Sequence, residues 1–300
     1  MIQLGKQLVV RAPKIRLCAC AVSGSGQSSS RDQNTNDCSP KLVGPNLNQC
    51  HKRLSSTSSQ SSNAGPMKRL AGKVAVVTAS TDGIGFAIAK RLAEDGASVV
   101  ISSRKQKNVD SALAELRKLN LNVHGLKCHV SEPQDRKQLF EETIGKFGKL
   151  NILVSNAATN PAVGGVLECD EKVWDKIFDV NVKSSYLLAK EALPLLRQQK
   201  DSSIVFVSSI AGYDAFELLG AYSVSKTALI GLTKAAAKDL APEGIRVNCL
   251  APGTALSKIP MGRLGTSEEM AGVVSFLVSE DAGYITGESI VAGGGMTARL

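Results

Sequence analysis

The sequence predicts a doubly wound α/β domain built on one parallel sheet of seven strands, and three observations carry that prediction. From Lys73 onward, short β-branched runs alternate with longer helical stretches. Most of the runs are continuous apolar stretches instead of alternating with polar residues, as strands covered by helices on both faces are. The stretches between them are long enough to be the helical crossovers that parallel neighbours require. The predicted strands are Val74–Thr78, Ser98–Ser102, Val123–Val130, Ile152–Ser155, Ile204–Ser208, Ile245–Leu250 and Ser289–Ala292. The predicted helices are Ile84–Glu94, Val109–Leu119, Asp135–Phe147, Glu171–Leu196, Tyr222–Ala241 and Ser267–Val278. Residues 67–300 suffice for one domain of this kind, with no second domain and no internal repeat.

The first strand runs into Thr78-Ala79-Ser80-Thr81-Asp82-Gly83-Ile84-Gly85 and then a helix. Small residues at such a turn let the backbone approach a phosphate, and the helix start offers free N–H groups at its positive dipole end. Glycines before a helix also make ordinary tight turns. Their place after the first strand of a βαβ unit favours the phosphate reading and a Rossmann-type arrangement. The second strand ends in Ser102-Ser103-Arg104-Lys105, where the adenosine ribose of a dinucleotide would lie. An acid there would bind the 2′-hydroxyl of NAD, whereas Arg104 and Lys105 suit the 2′-phosphate of NADP. A solvated basic pair at a strand end is the plainer alternative.

Further along, Ser209 closes the fifth strand, and thirteen residues later Tyr222 and Lys226 lie four apart on one predicted helical face. A phenol with an ordinary pKa near 10 is a poor acid–base group at neutral pH, and a nearby ammonium would lower it. Ser209 would polarise a carbonyl oxygen, Tyr222 would donate the proton, and NADPH would deliver hydride to carbon.

Composition limits the other readings. The chain has 300 residues and a net charge of +9, but residues 1–66 hold eight Lys or Arg against two Asp, so +6 of that charge belongs to this stretch. The basic balance is therefore not a nucleic-acid footprint on the folded body, and no aromatics interleave with it. Residues 1–31 are basic and free of acid, and residues 22–65 are rich in Ser, Asn, Gln and Gly. That composition fits an organelle transit peptide, a disordered extension or a start upstream of the natural one. Seven Cys without a C-x-x-C spacing and three scattered His predict a reducing compartment and no metal site. No apolar run is long enough for a membrane span, so a soluble protein is expected.

Taken together, these motifs resemble the short-chain dehydrogenase/reductase family over essentially all of residues 70–300. The glycine-rich motif falls on Thr78 to Gly85, with Ala79 in place of its first glycine. The element after the fourth strand falls on Ser155-Asn156-Ala157-Ala158, the structural Asn on Asn181, the serine on Ser209, the Y-x-x-x-K pair on Tyr222 and Lys226, and the P-G element on Pro252-Gly253. The segments Ser102-Ser103-Arg104-Lys105-Gln106, Val173-Trp174-Asp175-Lys176 and Arg246-Val247-Asn248-Cys249-Leu250 look like the member-4 branch, NADP(H)-dependent carbonyl and retinal reductases of peroxisomes or mitochondria. The resemblance implies cofactor contacts at Thr78, Ser80, Asp82, Gly83, Ile84, Gly85, Ser103, Arg104, Lys105, His129, Val130, Asn156, Ala157, Ala158, Tyr222, Lys226, Pro252, Gly253 and Thr254. His129 reads equally as a histidine at the sheet edge. Asn181 would hold a water that links Lys226 to solvent.

One feature departs from the family. Only nine residues, Thr254 to Gly262, separate Gly253 from Arg263-Leu264-Gly265, where a substrate lid of roughly 25 to 30 residues is usual. The shortened lid at 254–262 would weaken closure and specificity more than cofactor binding, although Thr254 or Ser257 could replace part of it. Ala158, Thr159, Asn160, Ile210, Tyr213, Phe216 and Leu219 are expected around the substrate, with packing or subunit contact the alternative for Phe216 and Leu219. The chain ends Ala298-Arg299-Leu300, similar to a peroxisomal address read by an import receptor, while the basic N-terminal stretch points to the mitochondrion. The functional expectation is NADPH-dependent reduction of ketones or aldehydes, retinal and dicarbonyls among them, reversible with NADP+, by a homodimer or homotetramer. The alternative is a cofactor-binding but catalytically weak protein with a structural or partner-binding role.

Overall fold

Strand β1 (Val74–Val77) is four apolar residues with no exposed face, and the strands Ile152–Ser155 and Ser203–Val207 at the centre of the sheet are buried in the same way. The computed structural model describes residues 68–161, 163–253 and 259–296. The N-terminal stretch, Thr254, Ser257 and the Ala298-Arg299-Leu300 ending lie outside the described residues. After β1 come α1 (Gly83–Glu94), β2 (Ser98–Ser103), α2 (Gln106–Lys118), β3 (Val123–Lys127), α3 (Pro133–Phe147) and β4 (Ile152–Ser155). The second half adds α4 (Glu171–Phe178), α5 (Ser184–Leu196), β5 (Ser203–Val207), α6 (Gly220–Leu240), β6 (Arg246–Pro252), α7 (Ser267–Val278) and β7 (Ser289–Ala292). The seven strands are all parallel in the order β3-β2-β1-β4-β5-β6-β7.

Successive side chains of a strand point to opposite faces, so each central strand feeds two cores. Ala75, Val77, Val99, Ile101, Ile152 and Val154 pack under α1, α2 and α7. Val76, Val100, Leu153, Ile204 and Phe206 pack under α3, α5 and α6. Each aliphatic side chain fully buried this way contributes about 1.5–3 kcal/mol. The result is the doubly wound α/β fold that the apolar runs predict. Among the described residues, no helix is long and apolar enough to cross a membrane.

Two differences from the sequence reading bear on the site. The third strand stops at Lys127 instead of Val130, because the Cys128 N–H makes a last bond to the Ser103 carbonyl and the chain then turns. The expected helix Glu171–Leu196 is interrupted: Asp179–Lys183 forms a π-helical turn between α4 and α5. One wide turn of this kind rotates the side chains within it relative to the flanking helices, and it buries Asn181 completely.

The chain leaves β1 toward β2 and β3 on one side and returns through β4 on the other. This switch opens a crevice beyond the carboxyl ends of β1 and β4. The far side of that edge is closed by the C-terminal segment. Ile259 and Met296 are buried against Ile210, with Phe216 packed alongside, and the Met261 N–H donates to the Gly294 carbonyl at 3.1 Å.

Helix α7 packs along α1 and begins with a reciprocal cap. The Glu269 N–H donates to Thr266 Oγ1 at 3.2 Å and the Thr266 N–H donates to Glu269 Oε2 at 2.8 Å. Thr266→Ala removes one partner of the pair and should cost about 1 kcal/mol, a fall in Tm of about 2–4 °C in thermal unfolding, with α-helical circular dichroism otherwise unchanged.

Candidate active site at the carboxyl edge of the sheet

The turn after β1 is held by its neighbour across the switch point. Thr78 Oγ1 accepts from the N–H groups of Asn156 and Ala157 at 3.1 and 3.3 Å. The Asn156 amide donates back to the carbonyls of Thr78 and Ala79 at 3.1 and 3.0 Å. Ser80 accepts from the Ser102 N–H through its hydroxyl at 3.1 Å and donates to the Val77 carbonyl at 2.6 Å, which ties the turn to β2. Asp82 caps α1 by accepting the Gly83 N–H at 2.7 Å. Thus Thr78, Ser80, Asp82 and Asn156, all expected at the cofactor, have their side chains engaged in shaping the turn.

The glycines shape the turn: Gly85 lets the start of α1 close onto it, and Gly83 has open space where a Cβ would lie. A Cβ on Gly85 would collide with the Ala79 carbonyl and the Asn156 amide. Gly83 has φ +54, a conformation that side chains resist, and Ile84 follows it into the helix. Ala79 takes a similar conformation, φ 48, despite its methyl group. A cradle of small residues at the start of a twelve-residue helix fits the pyrophosphate of a dinucleotide.

Beyond β2, Ser103 is half-buried and Arg104 and Lys105 are exposed. Among the described residues neither of the two cations has an ion-pair partner. Beyond β3, the His129 ring accepts the Ser131 N–H at Nδ1 (3.3 Å), which leaves Nε2 as the protonated, donating nitrogen. Val130, also expected at the cofactor, has its side chain in the core, and its carbonyl accepts from Arg136 at 2.8 Å. Ala157 is buried under the same core, whereas Ala158 is exposed. Pro252 ends β6, and Gly253 is packed so closely that a Cβ would come within 2.7 Å of Gly293 Cα.

Ser209, Tyr222 and Lys226 converge beyond β5. Ser209 follows the strand in extended conformation, 5% exposed, and its Oγ accepts the Ala211 N–H at 3.1 Å. Tyr222 lies in the first turn of α6, where burial pushes its phenol above the usual value and a hydrogen bond with Ser209 works in the opposite sense. One turn on, the Lys226 ammonium is buried 5.5 Å from the centre of the Tyr222 ring, and its Nζ donates to the Val207 carbonyl at 2.8 Å. Desolvation lowers Lys226 to about 8, and Cys249 opposes that shift weakly. The expected depression of Tyr222 by Lys226 is therefore absent from this geometry. The ammonium sits against the ring, itself poorly solvated, and burial decides the phenol.

Asn181 lies beside this cluster and is fully employed. Its Oδ1 accepts the Thr159 N–H at 2.7 Å, and its Nδ2 donates to the Thr159 carbonyl at 3.1 Å and to Ser225 Oγ at 2.9 Å. Of the residues expected around the substrate, Asn160 and Leu219 line a cavity of about 110 Å³ next to Tyr222, shared with Val163, Gly164 and Leu218. Ile210 is not among them: it is fully buried beneath Ile259 and Met296, because the C-terminal segment covers it. Sequence reasoning passed over Ser208, whose hydroxyl donates to the Lys226 carbonyl at 2.7 Å, and Ser225. Their adjacency to Ser209 and Lys226 was the available signal.

The buried ammonium has a pH signature. With a folded pKa near 8 and an ordinary value of 10.5, the unfolded chain binds more protons between these limits, so stability rises with pH across that window. Below pH 8 the buried charge costs up to about 3 kcal/mol. Lys226→Met should be the more stable protein at pH 7, with the gap closing toward pH 10, as read by urea unfolding of both at the two pH values.

Known proteins carry the same plan. Residues 73–264 match the family described as short chain dehydrogenase, and residues 254–297 match the one described as enoyl-(acyl carrier protein) reductase. The chain is 51% identical over 249 residues to dehydrogenase/reductase SDR family member 4 of Oryctolagus cuniculus, covering 77% of this chain and 96% of that protein. It is 48% identical over 272 residues to the Homo sapiens protein of the same name, covering 85% and 98%. It is 50% identical over 251 residues to tropinone reductase-like 3 of Erythroxylum coca, covering 78% and 96%. The rabbit match spans 249 positions but takes up only 77% of 300, about 231, so about 18 positions of that relative have no counterpart here. With identity at this level over nearly the whole of these relatives, and a seven-stranded sheet whose switch point carries Ser209, Tyr222 and Lys226, the chain belongs to the short-chain dehydrogenase/reductase family.

Proposed function

We propose that this chain is an NADPH-dependent reductase of ketones or aldehydes, reversible toward alcohol oxidation with NADP+. The observation that carries the reading is the convergence of buried Ser209 and Lys226 on the half-buried Tyr222, set where a cofactor and a carbonyl compound could meet. NADPH, when bound, supplies the hydride. The cradle ending at Gly85 would hold its pyrophosphate, and the exposed cations Arg104 and Lys105 favour a 2′-phosphate over a bare ribose hydroxyl.

The side chains divide the remaining work. Ser209 accepts at Oγ from the Ala211 N–H and is hydrogen-bonded to Tyr222, and on substrate binding it would turn its proton to the carbonyl oxygen. A phenol held above its ordinary pKa stays protonated at neutral pH, which makes Tyr222 the acid that protonates that oxygen. In the oxidation direction the same group must act as base, so alcohol oxidation gains as pH rises while carbonyl reduction is favoured near neutrality. Lys226 has a single acceptor among the described residues, the Val207 carbonyl, and its other N–H donors suit ribose hydroxyls. The apolar rim formed by Val163 and Leu218, both well exposed, suits an apolar carbonyl compound such as a dicarbonyl or retinal.

The test is fluorescence titration with NADPH followed by NADPH oxidation with a panel of dicarbonyls and aromatic ketones. Tyr222→Phe should lower turnover about 10²–10⁴-fold while NADPH still binds. Arg104→Asp should weaken NADPH about tenfold or more and leave NADH little changed. Binding by the wild-type chain without turnover on any member of the panel would replace the reductase reading with that of a catalytically weak cofactor-binding protein.

A further inference from the structure

The start of α6 poses a physical problem. It carries Tyr222 in its first turn, yet its N-cap, Leu219, makes no side-chain capping bond. The preceding Leu218 is held at φ 65, a strained conformation for a branched side chain. Outside the helix the start is tied by a bridge to Gly164, whose N–H donates to the Leu218 carbonyl at 2.9 Å, and an uncapped first turn that frays would carry the phenol with it. The next turn is secured from the β5 side, by Ser208 on the Lys226 carbonyl and by Thr227 on the Gly212 carbonyl at 2.8 Å. Neither bond reaches Tyr222.

Ser225 does. Its hydroxyl is fully buried, donates to the Tyr222 carbonyl at 2.6 Å and accepts from Asn181 Nδ2 at 2.9 Å. The other two bonds of the Asn181 amide grip Thr159 at both its N–H and its carbonyl, as a neighbouring strand would. The chain of bonds therefore runs from the loop after β4, through the π-helical turn, to the backbone of Tyr222. We propose that Ser225 is a positioning residue: it ties the Tyr222 turn to Asn181 and Thr159 and so holds the phenol in register with Ser209. This deepens the reductase reading and rests on it. The π turn has a purpose in this scheme, since it orients Asn181 toward both α6 and the β4 loop.

Ser225→Ala breaks the chain at its centre and leaves the Asn181 amide with a buried, unsatisfied donor. The expected result is a fall in kcat of about tenfold, with KM for the carbonyl substrate and Kd for NADPH within about twofold of wild type. Because both substitutions interrupt one bond, adding Ser225→Ala to Asn181→Ala should lower kcat no further. Amide hydrogen exchange supplies a readout independent of turnover. In Ser225→Ala the segment containing Thr159 and the segment Gly220–Tyr222 should both exchange about tenfold faster. The proposal is overturned if kcat stays within about twofold of wild type, if the two losses multiply, or if the Thr159 segment keeps its wild-type exchange. A wild-type chain that turns over no carbonyl ends the reductase reading, and the exchange measurement then decides the coupling alone.

Discussion

A lysine ammonium held out of water beneath a phenol is the condition that organises this site. Burial of that charge is unfavourable, and the fold tolerates it because Val207 offers a carbonyl at hydrogen-bonding distance and because α6 is fastened where it passes β5. The strand must end at Val207 for its carbonyl to face Nζ, and Ser208 and Ser209 must follow at once, one to hold the backbone of Lys226 and the other to meet Tyr222. Small shifts in β5 or α6 would therefore be felt at the ammonium before anywhere else.

The same logic of mutual restraint governs the crevice between β1 and β4. Thr78 and Asn156 exchange hydrogen bonds across it, so the side chains around the turn fix its shape while Gly85 lets α1 close onto it. A cradle formed this way has its geometry set before any ligand arrives, which reduces the ordering cost of binding.

Much of this was legible in the sequence because a parallel sheet leaves a strong signature. Strands covered on both faces are largely apolar, and β1, β4 and β7 fall within a residue of where those runs place them. The Tyr222–Lys226 spacing and the position of Ser209 at a strand end carried the site in the same way. What the sequence could not carry were features set by tertiary closure. The π turn at Asp179–Lys183 carries no glycine or proline to mark it, and the bonds of Asn181 to Thr159 and Ser225 that accompany it join residues distant in sequence. Ile210 follows Ser209 and so reads as a pocket residue, but Ile259 and Met296, far along the chain, cover it. The direction of the Tyr222 shift depends on how deeply the ring is buried, which no local spacing encodes.

The sheet order carries a consequence for how the molecule is assembled. Of its six strand pairs, β1 with β4 joins the segments most distant in sequence, with Val74 bonded to Asn151 across 77 residues, whereas β1 and β2 pair across a single short crossover. Loop-closure entropy grows with that separation, by about 0.6 kcal/mol per doubling, and distant pairings slow the search for the native topology. The seam that forms the crevice is thus the pairing most demanding in chain entropy. Until it closes, β1 and β4 are apolar strands with an open edge, and the nascent chain is at its most prone to pair with the wrong neighbour.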